Sequence, residues 1–319
     1  MCRLGFISLN KKKDMTNMTK IGMLELETRN THGCGYSYID NKNKTIQIKK
    51  SKERAALFWT SGTHKQLLSK NLIWHVRYAT HGEQTENNSH PFVNETGNIS
   101  MCHNGVISGY EKIKKLLIKK HKFTSDTDSE IVLHAYEEWG LEMFNKFKEQ
   151  GITGIGTILI MDNTNKNPKM FAYTDQKALI CYKNGYGLFG YSEKNLDFLG
   201  KLFTFKNSKV YSIINAEIEL IQEVELAVDK SYCVNYYGGY GYQQSLPFGN
   251  GKKAKKRARR ARRKAIIKEM KMNECWDDSW SQIEREMAIE DYENSINEIN
   301  YWQNLEKEDR AWDARYSKY

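Results

Sequence analysis

At 319 residues with 39% hydrophobic side chains, the chain is long enough for one large domain plus an appendage, or for two modest domains. No apolar run approaches the roughly 20 residues that span a bilayer, and Cys2, Cys34, Cys102, Cys181, Cys233 and Cys275 are scattered without CxxC spacing, so no membrane contact, disulfide framework, metal or cofactor is expected. The net charge of +10 is matched by the ten positive and no negative side chains of Lys252 to Lys264, which leaves the remainder near neutral and confines any polyanion binding to that run.

In chain order, Cys2 to Leu9 reads as a buried strand. The polar residues that follow, Asn10-Lys11-Lys12-Lys13-Asp14, do not continue into the long apolar region of a signal peptide, so a cytoplasmic location is expected. Lys11 to Thr19 reads as a loop and Ile21 to Glu27 as a short helix. In Thr31 to Ile39 two glycines followed by β-prone aromatics read as a tight backbone approach and then a strand, with Thr45 to Lys49 as its hairpin partner around the turn Asp40-Asn41-Lys42-Asn43. Lys52 to Lys70 carries helical spacing, and Leu72 to Tyr78 is another apolar strand. A strand around Ile99 to His103 ends at Asn104-Gly105, Tyr110 to His121 is a basic amphipathic helix, and Ser125 to Glu130 supplies the hydroxyls and carboxylates of a helix start for Glu130 to Trp139. Ile155 to Met161 pairs with Met170 to Tyr173. Ala178 to Tyr182, Gly187 to Tyr191 and Val210 to Ile214 extend the sheet, and Ile218 to Leu226 reads as a last strand pair. Short antiparallel runs with helices in blocks define an α+β layered domain.

Composition shifts near Asp229. Residues 2–229 are expected to form the main domain, residues 230–251, with Tyr236-Tyr237-Gly238-Gly239-Tyr240-Gly241-Tyr242, a flexible Gly/Tyr-rich linker, and residues 252–319 a basic then acidic helical tail. The tail has three readings: a nucleic-acid phosphate binder, a dock for an acidic partner through Lys252 to Lys264, or a solvated linker.

A cysteine directly after the initiator methionine becomes the mature N-terminus once Met1 is trimmed. Thiol and free amine then share one residue. An α-amino group with a reference pKa of about 7.7–8.0 can serve as a base near neutrality, where a lysine amine of about 10.4 stays protonated, so Cys2 can be a nucleophile carrying its own base. Taken alone, Cys2 also reads as an incidental strand residue, Asn104-Gly105 as a hairpin turn, Asp128 as a helix-start residue and Arg77 as a surface arginine.

Together these positions carry a family pattern. Cys2, His75-Val76-Arg77-Tyr78-Ala79-Thr80-His81-Gly82, His90-Pro91-Phe92, His103-Asn104-Gly105 and Thr127-Asp128-Ser129-Glu130 occur in the order and approximate spacing of class II glutamine amidotransferases. These N-terminal-nucleophile (Ntn) hydrolases supply ammonia to synthases such as glucosamine-6-phosphate synthase, asparagine synthetase and glutamate synthase. The chain resembles them from Cys2 to about residue 225. The resemblance implies a four-layer αββα sandwich in which Cys2 attacks the glutamine amide carbon and its amine moves the proton. It also implies that the Asn104 amide and the Gly105 N–H hold the oxyanion, that Arg77 grips the α-carboxylate through its planar fork, and that Asp128 takes the α-ammonium. Thr80 and His81 would line the pocket mainly through backbone groups. Tyr78, where the glucosamine-6-phosphate synthase-like members have tryptophan, would keep an aromatic lid contact.

His75, His90 and His103 are read as structural, because a nucleophile with its own amine needs no histidine base. The opening Cys2-Arg3-Leu4-Gly5 also resembles a stand-alone subgroup that includes a γ-glutamyl hydrolase of ergothioneine synthesis, so the scissile amide is that of glutamine or of a γ-glutamyl conjugate. A third reading, a nucleic-acid or scaffold protein with a vestigial Ntn domain, is opposed by the joint presence of Cys2, Asn104 and Asp128. No phosphate loop or dinucleotide fingerprint follows Asp229, so the expected partners are glutamine and an acceptor synthase on a separate chain.

Overall fold

The computed structural model describes residues 2–27, 30–40, 44–60, 66–79, 82–165, 167–175, 179–192 and 201–226, all within one compact unit. The expected boundary at Asp229, the linker and the charged tail lie outside the described residues, as do Thr80 and His81. Among the described residues no helix is long and apolar enough to cross a membrane.

Two antiparallel sheets form the centre. The first takes β1 (Arg3–Asp14), β2 (Cys34–Asp40), β3 (Thr45–Ser51), β4 (Leu68–Val76), β9 (Ile180–Asn184), β10 (Gly187–Tyr191) and β11 (Lys201–Thr204), in the order β11-β9-β10-β1-β4-β2-β3. The second takes β5 (Phe92–Val93), β6 (Ile99–Asn104), β7 (Thr157–Asp162), β8 (Lys169–Thr174), β12 (Lys209–Ile214) and β13 (Glu217–Glu223), in the order β13-β12-β8-β7-β6-β5.

Strict alternation along the strands decides the layers. Leu4 and Phe6 of β1, Ile73 of β4 and Ile39 of β2 meet Cys102 of β6, Leu159 and Met161 of β7 and Met170 and Ala172 of β8 in one buried cluster between the sheets. A hydrogen bond of 2.6 Å between the buried hydroxyls of Ser37 and Ser100 ties the same faces. The opposite face of the second sheet, through Met101, Ile158, Ile160 and Tyr173, packs on helices α3 (Tyr110–Leu117), α4 (Glu130–Trp139) and α5 (Met143–Glu149). On the outer face of the first sheet, the Trp74 indole fills the space over Gly5 and touches Gly22 of α1 (Thr16–Glu27). Tyr36 stacks on Trp59 of α2 (Ala55–Thr60) at 5.5 Å. The result is the four-layer αββα arrangement that the resemblance implies.

Three local expectations are corrected. Lys11–Asp14 continues β1, with Lys13 and Asp14 paired to Ser69 and Leu68, and Thr16 already opens α1, where the Asp14 carboxylate accepts the Thr16 N–H at 2.9 Å. An exposed extension carries polar residues on both faces, so hydrophobic alternation does not mark it. Among the described residues of the segment after Lys52, the helix is α2, and Leu68–Lys70 belongs to β4. Among the described residues, Ile218 to Leu226 supplies one strand, β13, paired with β12, and not a strand pair of its own.

Candidate active site

The alternation that builds the inter-sheet core also builds the site. Leu4 and Phe6 face the second sheet, so Cys2, two residues earlier, falls on the same face. Ile73 likewise puts His75 and Arg77 inward at the end of β4, and Cys102 puts Asn104 inward at the end of β6. β1 begins, β4 and β6 end and β7 begins at one edge of the sandwich, which brings these side chains together between the sheets.

Cys2 and Tyr78 form the mouth. The Tyr78 N–H donates to Cys2 Sγ at 3.3 Å and the thiol reaches the Tyr78 carbonyl at 3.3 Å, so the Tyr78 backbone holds the sulfur. The Tyr78 side chain is 38% exposed and its ring lies 5.2 Å from that of His32, whose Nδ1 accepts the Ala79 N–H at 2.9 Å. Arg77 is buried, and its guanidinium donates to the carbonyls of Glu83 at 2.9 Å and Gly82 at 3.4 Å. Burial lowers its pKa, while the neighbouring Cys2 acts in the opposite sense; a guanidinium remains a cation under either influence.

Behind the mouth, β6 ends at Asn104 and the chain passes directly into Gly105. A Cβ on Gly105 would stand 2.0 Å from the Ile155 carbonyl and 2.6 Å from His103 Nε2, so only glycine lets this backbone press against the start of β7. Ile155 is fixed in turn, because the Asp175 carboxylate accepts the N–H groups of Ile155 and Gly156 at 2.7 and 2.8 Å. His103 Nε2 lies 2.6 Å from the Ile155 carbonyl, which can only accept. That nitrogen therefore carries a proton, and Nδ1 lies within hydrogen-bond distance, 2.8 Å, of the Ser129 hydroxyl. His75 Nε2 donates to the His103 carbonyl at 3.0 Å.

Asp128 sits just before α4, 4% exposed, and its Oδ2 accepts the Ile107 N–H at 2.6 Å. The helix start was expected to use these carboxylates as caps. Instead Asp128 braces the loop after Gly105, and the Glu130 carboxylate accepts the N–H groups of Thr124 and Ser125 at 2.8 and 2.7 Å; α4 begins at Ser129 without a side-chain cap.

A narrow cavity of about 20 Å³ is lined by Cys2, Arg77, Tyr78, His90, His103, Gly105, Thr127, Asp128 and Ser129. Five of the eight residues singled out from the sequence thus converge. Asn104 is buried at the end of β6, one residue outside that lining, and Thr80 and His81 fall outside the described residues. Sequence reasoning missed Ser129, which orients His103, and His32, which braces Ala79. Ser129 was within reach of it, standing in the same four-residue motif as Asp128; His32 belongs to no quoted motif.

A four-layer sandwich whose second residue is a cysteine at the open edge between two antiparallel sheets has the layout of the N-terminal-nucleophile hydrolases. Residues 47–176 match the family model described as a glutamine amidotransferase domain, and the chain carries a class II glutamine amidotransferase domain. A glutamine–fructose-6-phosphate aminotransferase of Wigglesworthia glossinidia brevipalpis is 31% identical over 230 residues, covering 69% of this chain and 37% of the relative. Its counterpart from Methanococcus maripaludis is 38% identical over 139 residues, 43% of this chain and 22% of the relative. The chain therefore spans between about a fifth and little more than a third of the length of the curated relatives it matches. Among solved structures, the glutamine phosphoribosylpyrophosphate amidotransferase from B. subtilis superposes with a TM-score of 0.54 at 17% identity over 71% of this chain and 50% of that one. The allosteric regulatory enzyme of purine biosynthesis does so with 0.57 at 17% identity over 72% and 50%. At that identity the two likenesses establish the fold.

Proposed function

We propose that the domain hydrolyses the side-chain amide of glutamine through Cys2 and delivers the ammonia to an acceptor enzyme on another polypeptide. The observation that carries this reading is the position of Cys2 Sγ, 3.3 Å from the Tyr78 N–H, in a cavity shared with Arg77, Gly105 and Asp128. Removal of Met1 would free the α-amine beside the thiol. The amine takes the thiol proton as sulfur attacks the amide carbon, the C–N bond breaks, and the same proton leaves with ammonia. Water then cleaves the thioester to glutamate and restores the thiol.

The negative charge that develops on the carbonyl oxygen needs donors already in place. The Gly105 N–H and the Asn104 amide are the nearest candidates, and one such donor is worth about 2.7–4 kcal/mol in related chemistry. Arg77 and Asp128 supply opposite charges for an α-carboxylate and an α-ammonium, which selects an amino acid over a simple amide. A cavity of about 20 Å³ holds roughly one water, so admission of glutamine requires the mouth to widen. The half-exposed Tyr78 is the side chain placed to swing. The basic run Lys252 to Lys264 is, on this reading, the element that docks an acidic partner or nucleic acid.

Glutamate and ammonia release from glutamine, measured with a γ-glutamyl conjugate in competition, tests the proposal. Stoichiometric glutamate and ammonia, abolished in Cys2→Ala, is the expected result. Turnover of the conjugate alone would instead make the domain a γ-glutamyl amide hydrolase, and turnover that survives Cys2→Ala would remove the mechanism.

A further inference from the structure

On the outer helical layer, α4 presents Glu130, His134, Glu137 and Glu138 at i, i+4, i+7 and i+8, the spacing of one helical face. The segment after α3 brings His121 onto that face, with its ring 4.8 Å from that of His134. We propose that His121, His134 and Glu137 form a binding site for a divalent transition-metal ion of the zinc class.

Three features of the geometry support this. First, the donor atoms converge: Glu137 Oε2 lies 3.2 Å from His121 Nδ1 and 3.3 Å from His134 Nδ1, and one donor atom from each of the three residues lies within 4.8 Å of the others. Ligands about 2.0–2.1 Å from a tetrahedral ion stand about 3.3 Å apart, so two of the three separations already suit a metal and the third needs only a small closing movement.

Second, each imidazole has a carboxylate behind it. His121 Nε2 is 3.4 Å from Glu138 Oε2, and His134 Nε2 is 3.7 Å from Glu130 Oε1. Both nitrogens are buried and neither makes a hydrogen bond in this arrangement, although His134 as a whole is only 2% exposed. Metal on Nδ1 places the proton on Nε2, where it points at the waiting carboxylate; this carboxylate–histidine–metal relay fixes ring orientation and raises ligand basicity.

Third, the carboxylates are divided between tasks. Glu137 Oε1 accepts from Asn94 at 2.9 Å, which leaves Oε2 for the ion. Glu130 is anchored by Thr124 and Ser125, and Glu138 is paired with Lys120. Two neutral imidazoles and a carboxylate are borderline donors that suit Zn²⁺, with Co²⁺ and Ni²⁺ as substitutes. His121 also lines an open surface pocket with Lys114, Phe123 and Asp126, which gives the ion a route in and leaves the fourth position to water.

The sequence offered no such expectation, because the expected absence of a metal rested on cysteine spacing. His121 and His134 are brought together by the turn between α3 and α4. The same turn leads into Thr127 and Asp128, so the ion would staple the segment that carries the substrate clamp to the helix behind it.

The test uses full-length protein stripped with chelator, in a Cys2→Ala background so that the Cys2 thiol does not compete for metal. Titration with Co²⁺ should give visible absorption that saturates at one equivalent and is displaced by Zn²⁺, and Zn²⁺ should raise the Tm by several degrees. His121→Ala and Glu137→Gln, each checked for native circular dichroism, should lose both effects. No saturable binding to the intact cluster, or binding that persists in both variants, would overturn the proposal and leave the site an imidazole–carboxylate ion-pair cluster.

Discussion

The domain holds two groups of histidines in opposite surroundings. His90 is enclosed behind the Cys2 cavity, with its ring 4.2 Å from His75 and 4.6 Å from Phe92, and neither of its ring nitrogens has a hydrogen-bond partner. Burial holds its pKa well below the ordinary 6.5, and positive charge on any of the neighbouring His75, His103, Lys50 and Arg77 side chains pushes the same way. His134 is as deeply buried, and burial again lowers its pKa, but the carboxylates of Glu130 and Glu137 outweigh it and the net shift is upward. The surroundings disfavour a charge on the first imidazole and favour one on the second. The contrast teaches that a histidine's role follows the charges packed around it, since burial alone gives the same shift in both.

The comparison predicts that the cavity group governs turnover and the acid-flanked group governs stability. The largest effect belongs to the first: Cys2→Ala should lower glutamine hydrolysis by about a thousandfold or more and leave Tm and metal binding at the outer cluster unchanged. Gly105→Ala should come next. Its methyl would meet the Ile155 carbonyl, so the loop must move, with about a hundredfold loss of kcat if the N–H is an oxyanion donor and a lower Tm. His134→Ala should destabilise the domain by about 2–3 kcal/mol in urea unfolding, because it empties a buried position and removes the imidazole from beside the Glu130 and Glu137 carboxylates. His90→Leu, which removes no hydrogen bond, should cost less than about 1.5 kcal/mol. Equal losses at the two positions would break the comparison.

The smallest effect is in pH. Burial works to raise the Glu130 carboxyl, but His134 and the backbone and hydroxyl donors of Thr124 and Ser125 outweigh it and bring the pKa from the usual 4.5 to about 2. A depressed carboxylate contributes stability above 4.5 that is lost as pH falls toward 2. His134, with a raised pKa, contributes stability below 6.5 that is lost as pH rises through its folded value. Metal-free protein should therefore lose stability at both limbs, and Glu130→Gln should flatten the acid one.

Most strands were legible as short apolar runs, because the central strands are buried on both faces, by the other sheet on one side and by helices on the other, while Cys2 and Arg77 stood out through the chain start and the family motifs. What escaped was local polarity and distant pairing. Lys11–Asp14 is strand without an apolar face, and β11 and α5 carry signals too short to stand out. Asp128 looked like a cap because its sequence neighbours suit one, whereas its bond to Ile107 spans 21 positions that no local pattern records. The approach of His121 to His134 is hidden for the same reason.

The central claim is that Cys2 is a glutamine-directed nucleophile, and intact-mass analysis of untagged protein before and after exposure to 6-diazo-5-oxo-norleucine tests it most directly. The account predicts a chain lacking Met1 that gains a single adduct on its N-terminal peptide, absent in Cys2→Ala and weakened in Asp128→Asn. A retained Met1, or no adduct on folded protein, would contradict it.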